Sequence, residues 1–317
     1  MPTPQSPIPS GFTAETRASD VLAGRDLGGT TAIVTGGYAG VGLETTRALS
    51  SSGATVIVPA RTLDKARAAL AGIARVELET LDLAEPATID AFAARFIASG
   101  RPLHMLINNA GIMAAPLSRD ARGFESQLAT NHIGHFQLTM RLWPALRAGN
   151  GARVVSLTSR GHRIAGIDFH DPHFEHRAYD KWIAYGQSKT ANALFALALD
   201  ARGVAHNVRA FSVHPGAILT DLMRSMSDEE QRAAVERSNE TSPLKTTTQG
   251  AATSVWCATS DQLSGMGGVY CEDVDIAQAV AADNPDPRGV RPWAMDPDAA
   301  ERLWELSEAW TGVSFST

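Results

Sequence analysis

The sequence predicts an α/β fold: one doubly wound parallel sheet of about seven strands, with helices on both faces. Three observations lead there. Short β-branched runs alternate with helical segments along most of the 317 residues. Those runs are apolar on both faces, as strands buried within a parallel sheet are. Small glycine-bearing turns follow the strand ends, where open α/β sheets place their ligands.

Taken in order, residues 1–27 are expected to form an arm, flexible through its prolines to about residue 11, and a short helix over 13–23. The main unit spans 28–275. Its strands are expected at 30–35, 54–60, 75–81, 103–109, 152–158 and 207–213, with a short last one at 267–271. Helices fall between them at 41–52, 62–71, 86–99, 124–148, 185–202 and 247–259. Residues 276–317 are an extension on the same unit, in which "PWAMDPDAAERLWELSEAW" reads as a capped amphipathic helix. Leu303, Trp304 and Leu306 of that helix would pack on the body or on a partner.

Composition narrows the function classes. Hydrophobic residues make up 44% and charged residues 20%, with a net charge of −6. No Lys/Arg cluster stands out, so neither nucleic acid nor an anionic membrane is an expected partner. Cys257 and Cys271 are too few for a disulfide framework and lack metal-site spacing, which fits a reducing cytoplasm. The N-terminal "MPTPQSPIPSGF" lacks the order of a signal peptide, and no apolar run reaches the length of a membrane span.

The informative residues follow the strands. The first strand runs into "TGGYAGVG", where Gly36, Gly40 and Gly42 make a strand–turn–helix junction open to a pyrophosphate. After the second strand Ala60 stands where an NAD enzyme would carry an acid, and Arg61 follows. A guanidinium there holds a 2′-phosphate, which favours NADP(H) over NAD(H); the alternative is a solvated residue at a helix start. After the third strand Asp82 can accept from an adenine amino group or serve as the N-terminal acid of the next helix. "NNAG" (108–111) is another small-residue turn at the same end of the sheet. In "YGQSK", Tyr185 and Lys189 lie one helical turn apart on one face.

With TGxxxGxG, NNAG and YxxxK in this order, the chain resembles the classical type of the short-chain dehydrogenase/reductase family over about residues 28–271. The loop "RGHRIAGIDFHDPHFEHRAYDKW" and the "VHPG" stretch resemble the branch of the retinol dehydrogenases and the WW-domain oxidoreductase, here in a bacterial form. The resemblance implies a Rossmann-like domain and a catalytic set of Asn131, Ser159, Tyr185 and Lys189. Ser159, rather than Ser156 or Thr158, is the hydroxyl that reaches the carboxyl end of its strand. The cofactor would be held by Gly36, Tyr38, Gly40, Val41, Gly42, Arg61, Asp82 and Leu83. Asn109, Ala110, Gly111, Tyr185, Lys189, Pro215, Gly216, Ile218 and Thr220 would complete that site. The loop 160–184 and a mobile lid at 221–245 would set the substrate.

The function so implied is an NADP(H)-dependent interconversion of alcohol and carbonyl, as a carbonyl reductase or alcohol dehydrogenase, on a small to medium, largely apolar substrate. Tyr185 would be the general acid/base, its pKa lowered by the Lys189 ammonium. The competing reading is a non-enzymatic dinucleotide sensor on the same fold. An epimerase of the extended branch fits less well, because its glycine turn reads GxxGxxG. His170, His173 and His176 stand at three-residue spacing, but Pro172 breaks any helical face and no metal is expected. His132 and His135 read as packing or supporting residues. A homodimer or homotetramer is common in the family.

Overall fold

The computed structural model describes residues 2–241 and 243–315. The strands are β1 (Thr31–Val34), β2 (Thr55–Ala60), β3 (Val76–Thr80), β4 (Met105–Asn108), β5 (Arg153–Leu157), β6 (Arg209–His214), β7 (Val269–Glu272) and β8 (Asp275–Ile276). They form one sheet in the order β3-β2-β1-β4-β5-β6-β7-β8, parallel except for the last pair. The chain winds outward from β1 to β3, then returns to place β4 on the other side of β1. That reversal opens a crevice at the carboxyl ends of β1 and β4, the place where such sheets bind ligands.

Alternation along the strands divides the core into two layers. Ile33 and Leu106 face one layer with Phe92, Phe136, Trp143 and Trp304. Val34 and Ile107 face the other with Val56, Phe211 and Trp256.

Five elements differ from the sequence expectation. An eighth strand, β8, turns back on β7 through Asp273 and Val274, both at positive φ (51° and 63°). A valine in that conformation is uncommon, so the sequence carries no turn signal there. The helix expected over 124–148 is broken. A π-turn at Ala129–Ile133 follows Ser126–Leu128 and precedes the helix Gly134–Arg141, and Trp143–Ala148 starts anew at Pro144, which has no N–H to continue the ladder. The helix expected from residue 185 begins earlier and covers Lys181–Gly203, because the Asp180 carboxylate accepts from the N–H groups of Trp182 and Ile183.

The N-terminal arm, expected to be flexible, is pinned along the sheet edge. Gln5 exchanges hydrogen bonds with the backbone of Tyr270, and Asp275 accepts from the N–H groups of Ile8 and Ser10. The short helix within 13–23 shrinks to Ala18–Val21.

The C-terminal helix Pro297–Thr311 is capped by Asp296 and packs on the helix Lys181–Gly203. Leu303 and Trp304 are buried and Leu306 is half-buried. The Trp304 ring meets Phe136 edge-on at 5.0 Å, and the Arg202 guanidinium lies 4.1 Å from its centre. Among the described residues no helix is long and apolar enough to cross a membrane. Trp304→Ala should therefore cost about 3–5 kcal/mol of stability, read as a lower denaturation midpoint in urea. A loss under 1 kcal/mol would mean that the C-terminal helix is not part of the core.

Candidate active site

The carboxyl ends of β1 to β6 border a cleft of about 830 Å³. At one end lies the turn after β1. Gly36 (φ 64°) and Gly40 (φ 51°) take conformations that disfavour side chains. A Cβ on Gly42 would strike the Gly36 carbonyl and the Asn109 amide, so the helix that starts here must approach the β4 turn without one. The Thr35 hydroxyl accepts from the N–H groups of Asn109 and Ala110 at 2.9 and 3.0 Å, and the Asn109 amide donates to the Thr35 carbonyl. These bonds lock the "TGGYAGVG" and "NNAG" turns together.

The second strand delivers Ala60 and then the exposed Arg61 to the same end. Lys65, one turn further along the helix Leu63–Leu70, also lines the cleft and pairs with Asp221 at 3.1 Å. The i, i+4 spacing from Arg61 was the available sequence signal for Lys65. Asp82 lines the cleft with one carboxylate oxygen accepting from the Ala84 N–H.

At the other end are Ser159, Tyr185 and Lys189. Two of the hydroxyls near the end of β5 are diverted: Thr158 donates to the Lys189 carbonyl at 2.7 Å, and Ser156 is buried within the strand. Ser159 remains facing the cleft, its oxygen accepting from the Gly161 N–H. The Lys189 ammonium donates to the Leu157 carbonyl at 2.9 Å and lies 5.7 Å from the centre of the Tyr185 ring.

Burial sets the charges of this pair. It pushes the Tyr185 phenol up to about 12, against a smaller downward pull from its hydrogen bond with Ser159. It pushes Lys189 down to about 8. Burial thus keeps the phenol as an O–H at neutral pH.

Asn131 does not line the cleft. Its amide is spent on the Ile112 backbone, accepting from N–H at 2.8 Å and donating to C=O at 3.0 Å, and it also donates to the Ser188 hydroxyl. It fixes the segment after "NNAG" from behind the wall. Its own carbonyl accepts from Nδ1 of His135, whose Nε2 takes the Thr35 hydroxyl at 2.9 Å. Full burial pushes His135 down to about 4, so it is a neutral strut between the π-turn and the glycine turn. His132 is also buried, pushed down to about 3, and bonds Ser307 of the C-terminal helix.

The remaining cofactor residues taken from the sequence pattern, Tyr38, Val41, Leu83, Gly111, Pro215, Gly216, Ile218 and Thr220, all border the cleft. Residues 221–245 form a short turn at Asp221–Ser225 and the helix Asp228–Thr241, and contribute Leu222, Met223, Ala234 and Val235 to the wall. The three histidines of the 160–184 loop diverge. His173 stacks on Phe124 at 4.7 Å, and His170 is exposed. Asp171 accepts from three successive N–H groups, of Glu175, His176 and Arg177.

The sequence matches the short chain dehydrogenase family over residues 30–231. The chain belongs to that family. Short-chain dehydrogenase/reductases are NAD(P)-dependent oxidoreductases, and this chain is an enzyme of that kind. It is 45% identical over 291 residues to a Streptomyces lividans protein named "Probable oxidoreductase", covering 88% of this chain and 97% of the other. It is 37% identical over 294 residues to retinol dehydrogenase 12 of Homo sapiens, covering 90% and 88%. A solved protein of Mycobacterium paratuberculosis superposes with a TM-score of 0.75 at 32% identity, covering 96% of this chain and 100% of that one. These likenesses put the short-chain dehydrogenase in the retinol dehydrogenase-like branch.

One close contact offers a test of the site. A Cβ on Gly161 would lie 2.7 Å from Cε1 of Tyr185, so only glycine lets the turn sit on that ring. Gly161→Ala should displace the phenol and lower kcat about 100-fold, with the fold retained by circular dichroism. Unchanged turnover would mean that the position of Tyr185 does not matter.

Proposed function

We propose that the protein is an NADP(H)-dependent oxidoreductase interconverting an alcohol and a carbonyl on a small to medium, largely apolar substrate. The observation that carries this reading is a buried phenol, Tyr185, beside Ser159 and Lys189 at the end of a cleft that begins at a glycine turn. The residues present fit a nicotinamide dinucleotide. The Gly36–Gly42 turn leaves its backbone bare for a pyrophosphate, and the helix Gly40–Ser51 turns its N-terminus toward that turn. Arg61 and Lys65 would hold a 2′-phosphate, Asp82 an adenine amino group, and Lys189 the ribose hydroxyls.

When bound, the cofactor supplies or accepts the hydride. The chain's own residues handle the rest. The Ser159 hydroxyl donates to the carbonyl oxygen and stabilises the charge that grows on it. The Tyr185 O–H then delivers its proton to that oxygen in reduction, the direction for which a phenol held near 12 is already in the correct state. In oxidation the same oxygen must first lose its proton, which needs positive charge from Lys189 and from the oxidised cofactor. Asn131 and His135 act as positioning residues for the wall at 109–112.

Tyr185→Phe should lower NADPH oxidation with aldehydes at least about 1,000-fold, while NADPH binding measured by fluorescence stays intact. Full activity in that variant would overturn the mechanism, and binding without turnover in the parent protein would favour the sensor reading. Lys189 keeps its ammonium below about pH 8 and loses it above. Alcohol oxidation, which needs both the phenolate and that charge, should therefore rise about tenfold per unit in kcat/KM up to that pH and level off above it; a rise that continues to about pH 9.5 would exclude a role for that charge. Replacing Arg61 and Lys65 by alanine should raise KM for NADPH about 10- to 100-fold and leave KM for NADH nearly unchanged. An equal rise for both cofactors would argue against a 2′-phosphate site.

A further inference from the structure

Two arginines stand at the reacting end of the cleft, away from the turn and the Arg61–Lys65 pair assigned to the cofactor phosphates. Arg160 follows Ser159 directly, and Arg163 ends the same short turn. That turn is seated on the active site: Gly161 packs on the Tyr185 ring, and Gly186 allows the Gly161 carbonyl to approach the helix within 2.8 Å of where a Cβ would stand. Both guanidinium-bearing side chains line the cleft and are half-buried. Among the described residues neither forms an ion pair.

A structural arginine in this neighbourhood looks different. Arg291, almost fully buried, clamps the 284–286 loop by donating to the carbonyls of Asn284 and Asp286, and so brings Pro285 into the cleft wall. Arg163 has no such partners: its Nε is buried and makes no hydrogen bond. Arg160 donates through Nε to His214 at 3.1 Å, and no hydrogen bond engages the other edge of its fork. Of the acids nearby, Asp286 pairs with Arg288 and Glu272 accepts from the Gly289 N–H; their fields reach Arg163 and Arg160, but neither forms an ion pair with them. Two half-buried cations on one short turn, both with unspent donors facing the cleft, favour an anion between them. Apolar side chains, Met113, Met223 and Ala234 among them, line the cleft and cluster with Trp182, one helical turn before Tyr185.

We propose that the substrate is an apolar chain ending in a carboxylate, which Arg160 and Arg163 bind while the reacting carbon lies at Ser159 and Tyr185. This deepens the oxidoreductase reading and rests on it. The planar fork of arginine suits a carboxylate, to which it donates two parallel hydrogen bonds.

The test compares ω-oxo carboxylates with alkanals of matched length as substrates for the full-length protein with NADPH. Calorimetry of alkanoates against alkanols of the same lengths, on protein loaded with NADP⁺, reads binding without turnover. At the best length the carboxylate should win by at least about tenfold in kcat/KM and in affinity. The ratio should fall toward one in Arg160→Gln/Arg163→Gln, and Arg163→Lys should restore part of it. Because the ratio is read within each variant, a general loss of activity divides out. Turnover of alkanals with no carboxylate preference at any length would overturn the inference and leave the oxidoreductase reading standing. Arginine-dependent binding of alkanoates without turnover of either series would do the reverse. A preference that survives in the double variant would also overturn it.

Discussion

The contact between the end of β5 and the helix Lys181–Gly203 is the constraint on which the cleft depends. The Leu157 carbonyl, with two lone pairs, accepts from the Lys189 ammonium at 2.9 Å and from the Asn192 amide at 2.8 Å. The Thr158 hydroxyl returns a bond to the Lys189 carbonyl at 2.7 Å. Strand and helix are thereby fixed in both rotation and register. Ser159 is the next residue along the chain, and Tyr185 is one helical turn back, so the same three bonds that hold the helix also fix the serine against the phenol. Glycine at 161 and 186 is what allows the approach to be this close.

A second set of bonds holds the other half of the cleft to the first. From the Thr35 hydroxyl the links run to the β4 turn on one side and, through His135, to the carbonyl of Asn131 on the other. The network passes through the π-turn Ala129–Ile133, which carries the Asn131 carbonyl that His135 bonds. A neutral histidine serves better here than a charged one. It donates to a carbonyl at one nitrogen and accepts a hydroxyl at the other, which the imidazolium cannot do.

Much of this was readable in the sequence because parallel strands and the turns after them are short-range signals. The β-branched runs locate β1 to β6 to within a residue or two, and the residues that border the cleft are those that follow them. What was hidden depends on tertiary contact. The arginines at 160 and 163 look like ordinary surface charges until the fold turns them into one cleft. The break near Asn131 is invisible in a run that is apolar and helical throughout. The arm at the N-terminus has the prolines of a flexible tail, yet Gln5 takes the Tyr270 N–H and shares its carbonyl with Ala277, which composition alone does not announce. The burial that pushes the Tyr185 phenol up to about 12 is likewise a property of the packed fold that the sequence does not display.

The central claim is that this cleft holds a nicotinamide in one orientation against a carbonyl carbon at Ser159 and Tyr185. Its most direct test uses NADPH carrying deuterium at nicotinamide C4, on one face at a time, with an aldehyde substrate and mass spectrometry of the alcohol. The account predicts label on the carbinol carbon from one face and none from the other. Label from both faces, or from neither while NADPH is consumed, would contradict it.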